Sequence, residues 1–156
     1  MHIALEPPAQ PDVIALIDEL DAYQKPLYPL ESHYGIDIAA LAQPNVLFAV
    51  ARDEARRAAG CAAIVVGPDY GELKRMFVRP QQRGGGVARA LLAFLEARAA
   101  AQGCTLLTLE TGIRQPEALG LYERSGFERC GPFGNYPNDP LSVFMRKCIA
   151  KTGPLG

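Results

Sequence analysis

Tryptophan is absent from this chain, histidine occurs twice and methionine three times. Neither sign of charge prevails, since 16 lysines and arginines stand against 17 aspartates and glutamates in 156 residues. A net charge of −1 creates no field that would gather nucleic acid or an anionic membrane, so neither is an expected partner. Long apolar runs are missing too: VLFAVA and CAAIVV fall far short of the roughly 20 residues that a membrane-spanning helix needs. The opening MHIALEPPAQPD has no cationic start and no apolar stretch of signal-peptide length, so the expectation is a soluble, cytoplasmic protein. Cys61, Cys104, Cys130 and Cys148 show no C-x-x-C spacing and sit in apolar, strand-like contexts. Buried, reduced thiols and no metal site are therefore expected. Without repeats or a linker, the length suits one domain over residues 1–150, with a tail at 151–156.

Hydrophobic periodicity is present throughout. HIALE alternates as a first strand before Pro7-Pro8, and Val13, Ile14, Leu16, Ile17 and Leu20 recur at helical spacing between Pro11 and Tyr23. QKPLYPLESHYG reads as an irregular loop, followed by a short helix over 36–41. NVLFAVAR and AGCAAIVVG flank the polar DEARR, a hairpin signal, and YGELKRMFV is a third strand stopped by Pro80. A long helix then runs to about Gln102, where Gly103 ends it. CTLLTLET is a strand, QPEALGLYERSG a short helix, and FERCG and LSVFMRKCI are the last two strands. The order is β-α-α-β-β-β-α-β-α-β-β. It predicts an α/β (α+β) domain with a mixed central sheet and helices on both faces.

Glycine is concentrated where a helix should begin, in RPQQRGGGVARALL. A helix N-terminus offers unpaired amides and the positive end of its dipole, and a phosphate can sit there if no side chain blocks it. RGGGVA supplies a guanidinium, three open backbone positions and a small Ala88, while Leu91, Leu92, Leu95 and Ala99 form the stripe that anchors the helix. A Walker A loop is excluded because no Lys-Ser or Lys-Thr follows Gly86. A dinucleotide fingerprint is excluded because Arg89 stands where its third glycine belongs.

Val78, Pro80, Arg83, Gly84, Gly86 and Ala88 fill V-x-P-x-x-[RQ]-G-x-G-x-[GA] in register, and Ala118, Leu121, Tyr122, Gly126 and Phe127 fill A-x-x-L-Y-x-x-x-G-F. In both motifs and in element order the chain resembles the GNAT N-acetyltransferase superfamily. The resemblance implies the GNAT fold, acetyl-CoA as cosubstrate and an N-acetyltransferase. By that resemblance the backbone around Met76, Phe77 and Val78 pairs with the pantetheine arm. The loop of Gln81, Gln82, Arg83, Gly84, Gly85, Gly86, Val87, Ala88 and Arg89 holds the pyrophosphate. Gln115 stands where the family usually has Asn, and with Ala118 and Tyr122 it completes the cofactor side.

Transfer to an amine needs a base for the amine's proton and an acid for the departing thiolate. The resemblance makes Tyr122 the candidate acid and Glu72 the candidate base, with Glu110 a second base or an anchor for a cationic acceptor. Tyr28, Glu31, His33 and Tyr136 are the candidate acceptor-side residues. The expectation is direct transfer in a ternary complex to a small-molecule primary amine, by a monomer or homodimer. An acyl-CoA-sensing module and an enzyme acting on peptide or protein amines stay open as alternatives.

Overall fold

The elements follow in the expected order. The computed structural model describes residues 1–149, so the tail expected at 151–156 lies outside the described residues. Strand β1 (His2–Leu5) precedes α1 (Pro11–Gln24) and the short α2 (Ile38–Leu41). A meander of β2 (Val46–Arg52), β3 (Ala58–Val66) and β4 (Gly71–Val78) follows. Helix α3 (Val87–Ala101) crosses over to β5 (Leu106–Gly112), and α4 (Pro116–Arg124) leads to β6 (Glu128–Cys130) and β7 (Ser142–Cys148). The strands form one sheet in the order β1-β2-β3-β4-β5-β7-β6. Among the described strands only β4 and β5 run parallel, joined by the helical crossover that a parallel pair requires.

Local chemistry sets the helix limits. Pro11 opens α1, whose Val13, Leu16, Ile17 and Leu20 are buried at the i, i+3, i+4, i+7 spacing of one face. Ile14, expected on that stripe, is exposed, because one residue's step turns it about 100° from Val13. Helix α3 starts after Gly86, whose φ of 81° suits glycine, and buries Leu91, Leu92, Leu95 and Ala99 as expected. Beyond its end Gly103 turns left-handed, and the Cys104 amide closes onto the Ala99 carbonyl at 3.0 Å.

Two apolar clusters lie on opposite faces of the sheet. Helices α1 and α2 pack on Phe48, Val50, Cys61, Ala63 and Phe77, while α3 and Tyr122 of α4 join Ala49, Ala62, Ile64, Leu107 and Leu109. The thiols depart from expectation. All four are unpaired, but only Cys61 is buried; Cys104 and Cys130 are half-buried and Cys148 is exposed, near the end of β7.

A bulge in β4 shapes the centre of the molecule. Pairing with β3 runs from Ala63↔Lys74 to Cys61↔Phe77, so β4 carries one extra residue there. Arg75 adopts a φ of 57°, a conformation that costs a non-glycine residue about 1–3 kcal/mol. Its guanidinium is held by Asp21 of α1 at 2.6 Å and by the Ile36 carbonyl at 3.1 Å. The bulge inverts the side-chain alternation, so Leu73 packs on the α3 face and Phe77 on the α1 face. It also parts β4 from β5. The parallel pairing covers Gly71–Leu73 against Leu107–Leu109 and then stops.

Candidate active site

A cavity of about 450 Å³ opens where β4 and β5 diverge. Lys74, Arg75 and Met76 of β4 line one wall, and Glu110, Thr111 and Gly112 of β5 the other. Tyr122 enters from α4, below the sheet's apolar face, and Tyr28, His33 and Tyr34 enter from the loop after α1. Leu109 joins the α3-side core, so alternation turns Glu110 toward the opposite face. The gap between the strands lets groups from both faces border one space.

Of the two candidate bases, Glu110 is the one that borders the cavity. Its carboxylate accepts a 2.8 Å hydrogen bond from Ser142, yet burial pushes its pKa up to about 7. Lys74 opposes that rise, whereas Asp139 and Glu72 add to it. A carboxyl with this value exchanges its proton near neutrality, which suits general-base work. Tyr122 is buried, and its ring meets Phe127 edge-on with centroids 5.9 Å apart. Burial and then the Glu110 charge raise its pKa above that of a free phenol, so the hydroxyl stays protonated and able to donate. It makes no hydrogen bond among the described residues.

Glu72 occupies a different place from that expected. Instead of bordering the cavity, its carboxylate accepts from the Tyr136 hydroxyl and lies 3.2 Å from Lys74. Tyr136, expected on the acceptor side, likewise stands behind the lining, in an aromatic cluster with Tyr34, Phe133 and Phe144. Burial and the Glu72 bond raise its pKa. Lys74 donates both to Tyr136 and, at 2.8 Å, to the Tyr34 carbonyl, which ties the acceptor loop to β4. Glu31 is exposed and outside the lining. His33 does border the cavity and donates from Nε2 to the Tyr28 carbonyl at 2.9 Å.

Tyr28 and Gln115 meet directly. The Tyr28 hydroxyl donates to Gln115 Oε1 at 3.1 Å and accepts from the Arg114 amide at 3.1 Å. Gly112 lies immediately beneath: a Cβ there would stand 1.7 Å from the Tyr28 hydroxyl, so only glycine admits the ring. Gln115 and Ala118 both line the cavity, as does Met76, whereas Phe77 and Val78 turn into the two cores.

Sequence reasoning missed Lys74, Arg75, Tyr34, Asp139 and Ser142. Asp139 accepts from Ser32 at 2.6 Å and from Tyr34 at 2.7 Å, pinning the acceptor loop to the segment before β7. The one signal available was GELKR: three charged residues in a strand beside the wholly apolar AAGCAAIVV mark a place where the sheet cannot be closed core.

The glycine loop lies beyond this cavity, at the far end of β4. Gly84 and Gly86 have φ of 88° and 81°, and a Cβ on either would meet nothing within 4 Å. Gln81 and Gln82 form a 3₁₀ turn in which the Gln82 amide bonds the Arg79 carbonyl and the Arg83 amide the Pro80 carbonyl. Those two amides, expected to face a ligand, are therefore engaged. Among the described residues the amides of Gly84, Gly85, Gly86, Val87, Ala88 and Arg89 have no backbone partner. Val87 anchors the turn in the core, and Arg83 bonds the Val78 carbonyl through Nε at 3.0 Å. Open, unpaired amides at a helix start fit a pyrophosphate, and the freed edge of β4 fits an extended amide-bearing arm.

A strand-bulge gap, an amide-rich helix start, and a phenol and a near-neutral carboxyl bordering one cavity fit an acyl-CoA-dependent transferase. Residues 13–127 match the Acetyltransferase (GNAT) family, and the chain belongs to it. It is 48% identical over 147 residues to the IAA acetyltransferase of Azospirillum brasilense, covering 93% of this chain and 95% of that one. To the uncharacterized N-acetyltransferase YsnE of Bacillus subtilis it is 33% identical, covering 94% and 99%. A crystal structure from Klebsiella pneumoniae subsp. pneumoniae, assigned to the acyl-CoA N-acyltransferases, superposes with a TM-score of 0.81 at 39% identity, covering 95% of this chain and 97% of that one. The chain is an N-acetyltransferase of the GNAT family, and acetyl-CoA is its cosubstrate. Among the described residues no helix is long and apolar enough to cross a membrane, and no His, Cys, Asp and Glu group is placed to hold a metal.

Proposed function

We propose that this enzyme acetylates a primary amine of a small molecule by direct transfer, with both substrates bound together. The observation that carries the reading is that Glu110 and Tyr122 border one cavity from opposite faces of the sheet. Acetyl-CoA supplies the activated acetyl group. Glu110 takes a proton from the incoming ammonium or amine, and its pKa of about 7 leaves much of it ionised at neutral pH. Tyr122 holds a proton at its hydroxyl for the departing thiolate. Met76, at the unpaired edge of β4, sits where its backbone can orient the pantetheine arm, and the amides of Gly84 to Arg89 hold the pyrophosphate.

Direct transfer is favoured because no cysteine lines the cavity and the buried Cys61 thiol has its pKa pushed up to about 12, which keeps it un-ionised. Initial-rate kinetics with both substrates varied tests this: intersecting lines are expected, and parallel lines with acetyl exchange in the absence of acceptor would overturn it. IAA, which gives the Azospirillum relative its name, belongs among the first acceptors to assay beside the amines.

A further inference from the structure

The cavity has a second property, in how its charges are already committed. Asp21 is paired with Arg75 at 2.6 Å. Asp37 gives one oxygen to the Ala40 amide, capping α2. Behind the lining, Glu72 is held by Tyr136 and Lys74, and Asp139 by Ser32, Tyr34 and the Leu141 amide. Glu110 alone has no cationic partner within ion-pair distance and no backbone amide bonded to it. Three lysine and arginine side chains, Lys25, Lys74 and Arg75, line the same space beside His33, and Lys25 has no acidic partner among the described residues. The lining acids, Asp21, Asp37 and Glu110, are thus matched one for one by these three.

The remaining lining mixes polar groups, among them Gln24, Ser32, His33 and Tyr34, with apolar side chains that come from separate segments. Leu20 comes from α1, Leu30 and Ile36 from the acceptor loop and Leu141 from the segment before β7. Among the described residues Leu30 is the most exposed of the large apolar side chains, at 81%, and it stands at this cavity. An apolar side chain left in water at a cavity rim gains from an apolar ligand that covers it.

Resting on the amine reading above, we infer that the acceptor is a monoamine with an apolar body, not a polycation. One unengaged carboxylate can take one proton from one amine. Each further ammonium would be desolvated against a lining whose other acids are already engaged, Asp21 by Arg75 and Asp37 by the Ala40 amide, and which sets Lys25 in its path. The apolar walls reward a hydrocarbon or aromatic body in that position.

The test is a rate panel at saturating acetyl-CoA, detecting released thiol. Hexylamine and 2-phenylethylamine represent apolar monoamines, and putrescine and spermidine represent polycations of similar reach. The expected kcat/KM for the better monoamine exceeds that for spermidine by about a hundredfold, the scale of one or two mispaired charges. Equal or faster turnover of the polyamines overturns the inference and leaves the amine reading standing. Failure of every amine, in a protein that binds acetyl-CoA by calorimetry, overturns both together. The exposed Leu30 allows a second measurement that folding does not confound. Leu30→Glu places a free carboxylate at the rim and is expected to raise the putrescine-to-hexylamine ratio of kcat/KM by about tenfold. An unchanged ratio would show that the charge of the lining does not select the acceptor.

Discussion

The two ends of the active-site region are built on different principles. The cofactor end uses backbone: two left-handed glycines, a run of free amides and an unpaired strand edge, all between Met76 and Arg89. The acceptor end uses side chains that converge from α1, the loop after it, β4, β5 and the segment before β7. Backbone recognition demands contiguous residues of a particular shape, so it leaves a motif. Side-chain recognition demands only convergence, and its members are scattered over some 120 positions, from Leu20 to Ser142. One end can stay the same while the other is rebuilt, because they share only the gap at β4 and β5.

That separation predicts substitutions with effects confined to one end. The largest is expected at the shared gap. Glu110→Gln should lower kcat by about 100- to 10,000-fold and abolish the rise of rate with pH centred near 7, while acetyl-CoA affinity stays within a few-fold. A retained limb would move the base elsewhere. The same change has an opposite effect on stability. Glu110 titrates near 4.5 when unfolded and at about 7 when folded, so its favourable contribution is complete below 4.5 and is lost as pH rises through 7. Thermal melts above pH 8 should therefore show Glu110→Gln more stable than the parent, by about 1–3 kcal/mol.

Next in size is the cofactor end. Gly84→Asp forces a side chain onto a φ of 88° and a negative charge among the free amides. Acetyl-CoA affinity by calorimetry should fall by about a hundredfold in a protein whose circular dichroism is unchanged. Tyr122→Phe keeps the ring against Phe127 and removes the proton; kcat should drop by about ten- to a hundredfold with cofactor binding retained. Equal turnover would make Tyr122 a packing residue. The smallest effect belongs to the acceptor end. Tyr34→Phe deletes one of two hydroxyls on Asp139, and a threefold to tenfold rise in acceptor KM is expected with acetyl-CoA KM unmoved. A parallel rise in both constants would show that the two ends are coupled.

The sequence was most legible where one local rule sufficed. Alternation and helical spacing placed the strands and α-helices of the described residues but not the 3₁₀ turns at Lys25–Leu27 and Leu30–Ser32, and the glycine loop could be read because a positive φ and an open anion site both call for the same residue. The errors fell where two rules competed. Ile14 fits the apolar composition of α1 but not its buried angle, and Cys148 fits a strand but sits on its solvent side. Glu72 was expected to be the base because the resemblance puts a general-base carboxylate on this strand. Its partner is Tyr136, 64 residues away, which no spacing rule connects to it.

By itself, then, the sequence determined the family, the element order and the cosubstrate, since each follows from short-range pattern. Tertiary structure decided which carboxylate borders the cavity. The bulge at Arg75 is invisible in GELKRMFV, because an arginine in a left-handed conformation has no compositional mark and is held there by Asp21 and the Ile36 carbonyl. Once β4 turns away from β5, Glu110 is left beside open space with a single hydroxyl for a partner, and Glu72 is left beside a lysine and a tyrosine. Desolvation outweighs the opposing charge of Lys74 and raises one carboxyl toward neutrality, and the other is held by its neighbours away from the cavity.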